Sequence, residues 1–337
     1  MVINSRRDIT FFIQAVNCNP NGDPDMDNFP RVDSDTGIGI MTDAAIKARI
    51  RAYIETAFQD VDGMKIFFKD KASINRQIAE AVFEAVGEEG KKAEKHSKSL
   101  EAAELICKNY WDVRTFGAVM NTGLNAGQVN GPVQVAFATS VDPIYGEDIT
   151  LTRRSFTDGK FTSLKEYDEA YEKMADDKKR TMGSKKIIPY GLYKVNICVS
   201  ANDAEKTGFS EEDFDRLLEA ICQMYNFSTS ASKMGMSVVT PVVIFKHVGT
   251  QADKNSEQNL REAKLGCAPA HKLFSLLRAV KKEDVVLPRR LEDYDITLDV
   301  SGLKNGIEIG LKDSAFESVT WGTKLEDFGE FEDVRLV

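Results

Sequence analysis

Asp8 to Cys18 (Asp-Ile-Thr-Phe-Phe-Ile-Gln-Ala-Val-Asn-Cys) is dense in aromatic and β-branched side chains and predicts a first strand. Asn19 to Ile40, rich in Pro, Gly, Asp and Asn, predicts a long loop. Ile46, Ile50, Tyr53, Ile54 and Ala57 then recur at helical spacing. They predict a helix capped by Thr42 and running to about Phe58, with Asp43 in its first turn where the dipole favours an anion. Residues 71–110 predict two further helices joined near Gly87–Gly90. Strand-like runs follow at 111–119 and 132–142, then a charged, low-apolar insertion over 143–190 with a helix at Leu164–Lys179. Gly191–Ala201 alternates as a strand should. Ser210 caps a helix that buries Phe214, Leu217, Leu218, Ile221 and Tyr225, and Ser237–Val248 predicts a closing strand. Asp295–Val300 and Ile307–Leu311 flank Asn305-Gly306, a strong hairpin signal.

Without its insertions the order is strand, helix, strand pair, strand, helix, strand. That order is close to the split βαβ arrangement and predicts an α+β, ferredoxin-like (modified RRM) antiparallel sheet with two helices on one face. The fold alone does not decide function. The aromatic signature of an RNA-recognition strand is missing, and Phe116-Gly117-Ala118-Val119 only echoes it. Any RNA contact is therefore expected from loops and helix flanks.

The chain has 337 residues, 42% hydrophobic and 29% charged, a soluble globular composition. Its longest near-apolar run, Val238–Phe245, is too short to cross a bilayer, and the N-terminus lacks a signal-peptide pattern. The five cysteines lie far apart with no Cys-x-x-Cys pair, which argues against a disulfide framework or a zinc site and for a reducing cytoplasm. The net charge of −9 is unevenly spread. Residues 291–337 hold four bases against twelve acids, so the rest of the chain is nearly neutral. Residues 178–194 carry Lys178, Lys179, Arg180, Lys185, Lys186 and Lys194 with no acid, and residues 246–290 hold ten bases against five acids. Local basic clusters bind phosphate even when the total is acidic.

The candidate chemistry follows from these clusters. Residues 111–135 place glycines at Gly123, Gly127 and Gly131 after Arg114 and Phe116, a cation and a ring beside exposed amides. This suits a phosphodiester chain, and it also suits an ordinary hairpin with a loose connection. Lys47 and Arg51 sit four apart on one flank of the first helix, and Arg49 on the other. In the loop Asn17–Asn28, Asp23, Asp25 and Asp27 alternate, but a calcium loop counted from Asp23 needs Gly and Glu where Asn28 and Ser34 stand. Its Asn and Gly residues suit a nucleic-acid backbone instead, with Arg31 adding charge. His96, His247 and His271 fall in no catalytic motif. Asp33 and Asp35, beside this loop, are the only catalytic candidates.

Asn19-Pro20-Asn21-Gly22-Asp23-Pro24, Thr42-Asp43 with Lys47, Arg49 and Arg51, Asp112–Ala118, Gly131-Pro132-Val133-Gln134 and Pro189-Tyr190-Gly191-Leu192-Tyr193 together resemble the repeated backbone (Cas-seven family) subunit of type I CRISPR Cascade, in its type I-C branch. The resemblance runs over most of the chain. It implies a single palm over 1–337 with a helical insertion at 59–110, a thumb-like hairpin insertion at 143–190 and an acidic C-terminal hairpin segment at 291–337. It also implies copies stacked along one CRISPR RNA, which they present to target DNA. Other Cascade subunits (a guide-processing subunit and a large PAM-sensing subunit) and, transiently, a helicase-nuclease are the implied partners, with no membrane. The implied RNA-binding residues are Asn19, Asn21, Arg31, Lys47, Arg49, Arg51, Arg114, Phe116, Gly117, Arg153, Arg154, Lys185, Lys186 and Lys233. No cofactor, metal or catalytic residue is implied. The alternative is a metal-dependent ribonuclease of the type III-like kind using Asp33 or Asp35.

Overall fold

In the computed structural model, which describes residues 1–87, 98–153, 155–156, 159–175, 181–227 and 230–337, Arg7–Cys18 forms the middle strand of the main sheet. Nearly all of its side chains are buried. It pairs antiparallel with Thr181–Val199 on one side, from Arg7↔Val199 to Cys18↔Ile188, and with Met236–Val238 and Val242–His247 on the other. Beyond Thr181–Val199 lie Val133–Val135 and Ala138–Pro143, then Ile38–Met41. Beyond Val242–His247 lie Ile307–Lys312 and Thr320–Gly322.

Alternate residues of a strand face opposite sides, and here both sides are covered. Ile9, Phe11 and Ile13 pack under the helices Asp43–Ala57 and Glu211–Gln223, against Ile46, Ile50, Leu217 and Ile221. Thr42 Oγ1 caps the first helix by accepting from Ala45 N–H, and Ser210 with Asp213 forms a capping box on the second. Phe12, Leu192, Val243 and Phe245 face the other way. There they meet the short helix Ala270–Phe274 and a small sheet of Leu277–Lys281, Tyr294–Leu298 and Arg335–Leu336. Helices on one side and the small sheet on the other cover most of both faces of the main sheet, which leaves its ends and loops as the larger accessible surface.

Ile74–Val86 and Ser99–Asn109 form a separate core with Phe67, Val113 and Met120. Glu147–Arg153 pairs with Thr181–Ile187 as a ribbon, and every side chain of the first of these strands is exposed. The helix between them spans Leu164–Lys173, shorter than the predicted run to Lys179. Residues 176–180 lie outside the described segments.

Three sequence expectations are corrected. Residues 111–119 are not one strand: Trp111–Phe116 is a helix with all six side chains buried, and only Gly117–Val119 is extended. A short apolar run buried on all sides carries no period that separates helix from strand. Asn305-Gly306 does not close a hairpin. Gly306 takes a φ of +83°, but the turn carries the chain from the small sheet, where Tyr294–Leu298 pairs with Leu277–Lys281, to Ile307–Lys312 in the main sheet. The predicted strand Gly191–Ala201 begins at Thr181 and gives way at Ala201 to a short helix, Ala201–Thr207.

The glycines of the 117–131 hairpin serve the hairpin itself. A Cβ on Gly131 would lie 2.2 Å from Gly117 N, and one on Gly117 would lie 2.4 Å from Val129 O at a φ of +80°. Backbone that close cannot yield without strand separation. Gly131→Ala is expected to destabilise the protein by about 1–3 kcal/mol, the usual range for overpacking. Urea denaturation checks this, and an unchanged midpoint would contradict the packing.

Candidate nucleic-acid interface

At the C-terminal end of the central strand two loops are held together by backbone bonds. Val16 N–H donates to Gly235 O (2.8 Å) and Asn19 N–H to Ser232 O (3.0 Å). The Lys233 ammonium donates to Asn19 O at 2.6 Å and to Pro20 O. Burial, and then the neighbouring Arg49 cation, lower the Lys233 pKa to about 8. Lys185, from the base of the ribbon, donates to Ala231 O in the same loop. Lys185 and Lys233 thus meet at the 230–236 loop, from the ribbon and from the loop itself, with Arg49 of the first helix near enough to disfavour the Lys233 charge. Among the described residues none of the three has a carboxylate partner.

The other candidates are placed more structurally. Asn19 Nδ2 donates to Asn28 O (2.8 Å), and its side-chain oxygen is buried without a partner. Asn21 Oδ1 accepts from Thr42 N–H (2.8 Å) and Thr42 Oγ1 (3.1 Å), pinning the loop to the start of the first helix. Arg31 pairs with Asp23 at 3.1 Å, and Asp23 also accepts from Asp25 N–H. These acids close turns, and among the described residues no group of three or more His, Cys, Asp or Glu could hold a metal. Asp33 accepts from Asp35 N–H (2.9 Å) in an exposed turn.

Lys47 pairs with Asp43 at 2.9 Å, and its Nζ lies 5.6 Å from the Phe116 ring centre. Arg51 pairs with Asp112 at 2.9 Å and stacks 5.2 Å from both Phe68 and Phe116. Lys186 is buried between Asp148 and Asp27, over the Phe29 ring, and so fastens the 22–30 loop to the ribbon. Arg153 is exposed and donates to Ser155 O (3.1 Å), while Arg154 lies outside the described residues.

Arg114 and Phe116 are buried and Gly117 is half-buried, which corrects the expectation of an accessible cation and ring beside exposed amides. Arg114 Nε and Nη2 meet the two carboxylate oxygens of Asp213 at 3.0 and 2.8 Å. Its remaining donors reach Cys107 O (2.7 Å), Lys108 O (3.3 Å) and Gly63 O (3.2 Å). Phe116 packs edge-on against Trp111. The pairing of loops 17–21 and 230–236 had no sequence signal, because long-range contact leaves no local pattern.

A family model described as CRISPR-associated protein Cas7 matches residues 5–299. The chain belongs to the Cas7 family. The matched part includes every cation considered above and ends before most of the acidic C-terminal segment. A curated CRISPR-associated protein Cas7 of Haloferax volcanii is 28% identical over 246 residues, covering 70% of this Cas7 chain and 68% of that protein. Among solved structures, a chain of a CRISPR RNA-guided surveillance complex in a pre-nicking state is 14% identical. Its TM-score is 0.46, with 72% of this chain and 78% of that one covered. A chain of another CRISPR RNA-guided surveillance complex is 15% identical with a TM-score of 0.41, covering 72% and 69%. Among the described residues no helix of this Cas7 protein is long and apolar enough to cross a membrane.

Proposed function

We propose that this Cas7 protein is a non-catalytic backbone subunit of a type I-C Cascade. Copies stack along one CRISPR RNA, hold its sugars and phosphates, and leave its bases to pair with target DNA. The family match over residues 5–299 carries the reading. The cluster of Arg49, Lys185 and Lys233 supports it, because a grip that ignores sequence uses phosphate contacts while base pairing supplies specificity. Arg31, Lys47 and Arg51 are already matched by Asp23, Asp43 and Asp112, and Arg153 stands at the far end of the ribbon, so these four support the reading less than that cluster does.

The strand order 242–247, 7–18, 181–199, 138–143, with two helices on one face, supports a ferredoxin-like palm. The ribbon of Glu147–Arg153 and Thr181–Ile187 supports a thumb that reaches a neighbouring copy. The partners in this reading are the guide RNA, further copies, a guide-processing subunit, a large PAM-sensing subunit and, transiently, a helicase-nuclease, all in the cytoplasm.

The non-catalytic part has its own test. Incubating the protein–RNA assembly with complementary RNA and magnesium is expected to leave that RNA intact. Cleavage products that vanish on Asp33→Ala would overturn it.

A further inference from the structure

The central strand of the small sheet, Tyr294–Leu298, is paired along its whole length with Leu277–Lys281, but on its outer side only Thr297 and Leu298 have partners, in Arg335–Leu336. Asp299 N–H donates to Leu276 O (2.9 Å) and Lys282 N–H to Asp293 O (3.0 Å). In an antiparallel pair this fixes the alternation, so the odd-numbered residues turn their peptide groups toward Leu277–Lys281 and the even-numbered ones away. Accordingly, Val337 N–H takes the outward Leu298 carbonyl at 3.0 Å. The outward Ile296 N–H and Tyr294 carbonyl have no backbone partner among the described residues.

Tyr294 and Ile296 border a groove of about 640 Å³ on this side of the strand. Ile296, Val334, Phe328 and Phe331 give it an apolar lining, and the acids along it are Asp295, Glu330, Glu332 and Asp333. Arg335 is its one basic lining residue among those described. Burial, and then Glu332, Glu292 and Asp313, push the Asp333 carboxyl up, so its charge is held against like charges.

We propose that this groove takes an extended, lysine- or arginine-bearing segment of a partner protein, added as a strand beside Tyr294–Ile296. Main-chain groups without a partner supply bonds to an added strand, whose alternate side chains point to opposite sides. Apolar residues would sit over Phe328 and Phe331, and basic ones would meet the acids. The same acids repel a nucleic acid from this face. The competing role for such charges is to guard an exposed edge against any pairing, and it predicts no binding.

The probe is a fluorescein-labelled peptide of alternating lysine and valine, titrated with the full-length protein by anisotropy at physiological salt. Saturable binding is expected, weakened at least tenfold by Asp295→Asn with Glu332→Gln and Asp333→Asn. It is also expected to weaken at least tenfold when alternate peptide nitrogens of the probe are methylated. Absence of saturation, or binding indifferent to the triple substitution, overturns the proposal. Binding that needs the acids but tolerates methylation overturns the added strand. Guide retention by the triple variant is expected to match wild type, so the result stands apart from the RNA-binding reading.

Discussion

Asp213→Ala is expected to lower the stability of this Cas7 protein by about 3–5 kcal/mol, the usual effect of leaving a buried charge without its partner. Asp213 accepts two bonds from the Arg114 guanidinium and also closes the capping box with Ser210 N–H at 2.9 Å. Both side chains are nearly inaccessible, at 11% and 5% exposure, so water cannot replace the lost carboxylate. The guanidinium also collects carbonyls from residues 63, 107 and 108, so one ion pair ties the helical insertion to the second sheet-covering helix. Replacing both residues with apolar side chains of similar volume is expected to recover much of the loss, because no uncompensated charge then remains. Urea denaturation with both variants checks this. A single variant near wild-type stability would mean that Arg114 is free to act elsewhere, as its sequence context suggested.

Arg49→Ala with Lys185→Ala is expected to weaken guide binding about a hundredfold or more. A hydrogen bond to a charged group contributes about 1.5–3 kcal/mol, and two are removed. The loss is expected to be uniform across guide sequences, since phosphates carry no sequence. The slope of log affinity against log salt is expected to fall by about 1.4, from roughly 0.7 per phosphate on a single strand. Neither side chain has a carboxylate partner among the described residues, so the cost to stability is expected to be confined to the lost Lys185 bond to Ala231 O. Lys47 and Arg51 differ, because reversing them would break pairs with Asp43 and Asp112 and mix folding with binding. An unchanged slope would move the interface away from this end of the sheet.

What could be read from the sequence was what repeats locally. Ile46, Ile50 and Ile54 at helical spacing, Thr42 and Ser210 as caps, and the apolar run from Asp8 all appear where expected. Trp111–Phe116 could not be read, because a segment buried on all sides has no amphipathic period. The Asn305-Gly306 signal was misleading because a dipeptide sets a turn, while the partner of each strand is set by packing far along the chain. The same limit applies to the site. Arg49 and Lys185 were visible as cations, but the acids that occupy Arg31, Lys47, Arg51, Lys186 and Arg114 were not. Charge could be counted along the chain, whereas which charges are already neutralised depends on contacts across it.

The most direct measurement is the RNA content and copy number of the protein purified with its companion subunits, by phenol extraction and by mass photometry. One short RNA per particle is expected, with several copies of this protein along it, and the Arg49→Ala, Lys185→Ala variant is expected to lose that RNA. A nucleic-acid-free monomer in the presence of those companions would contradict it.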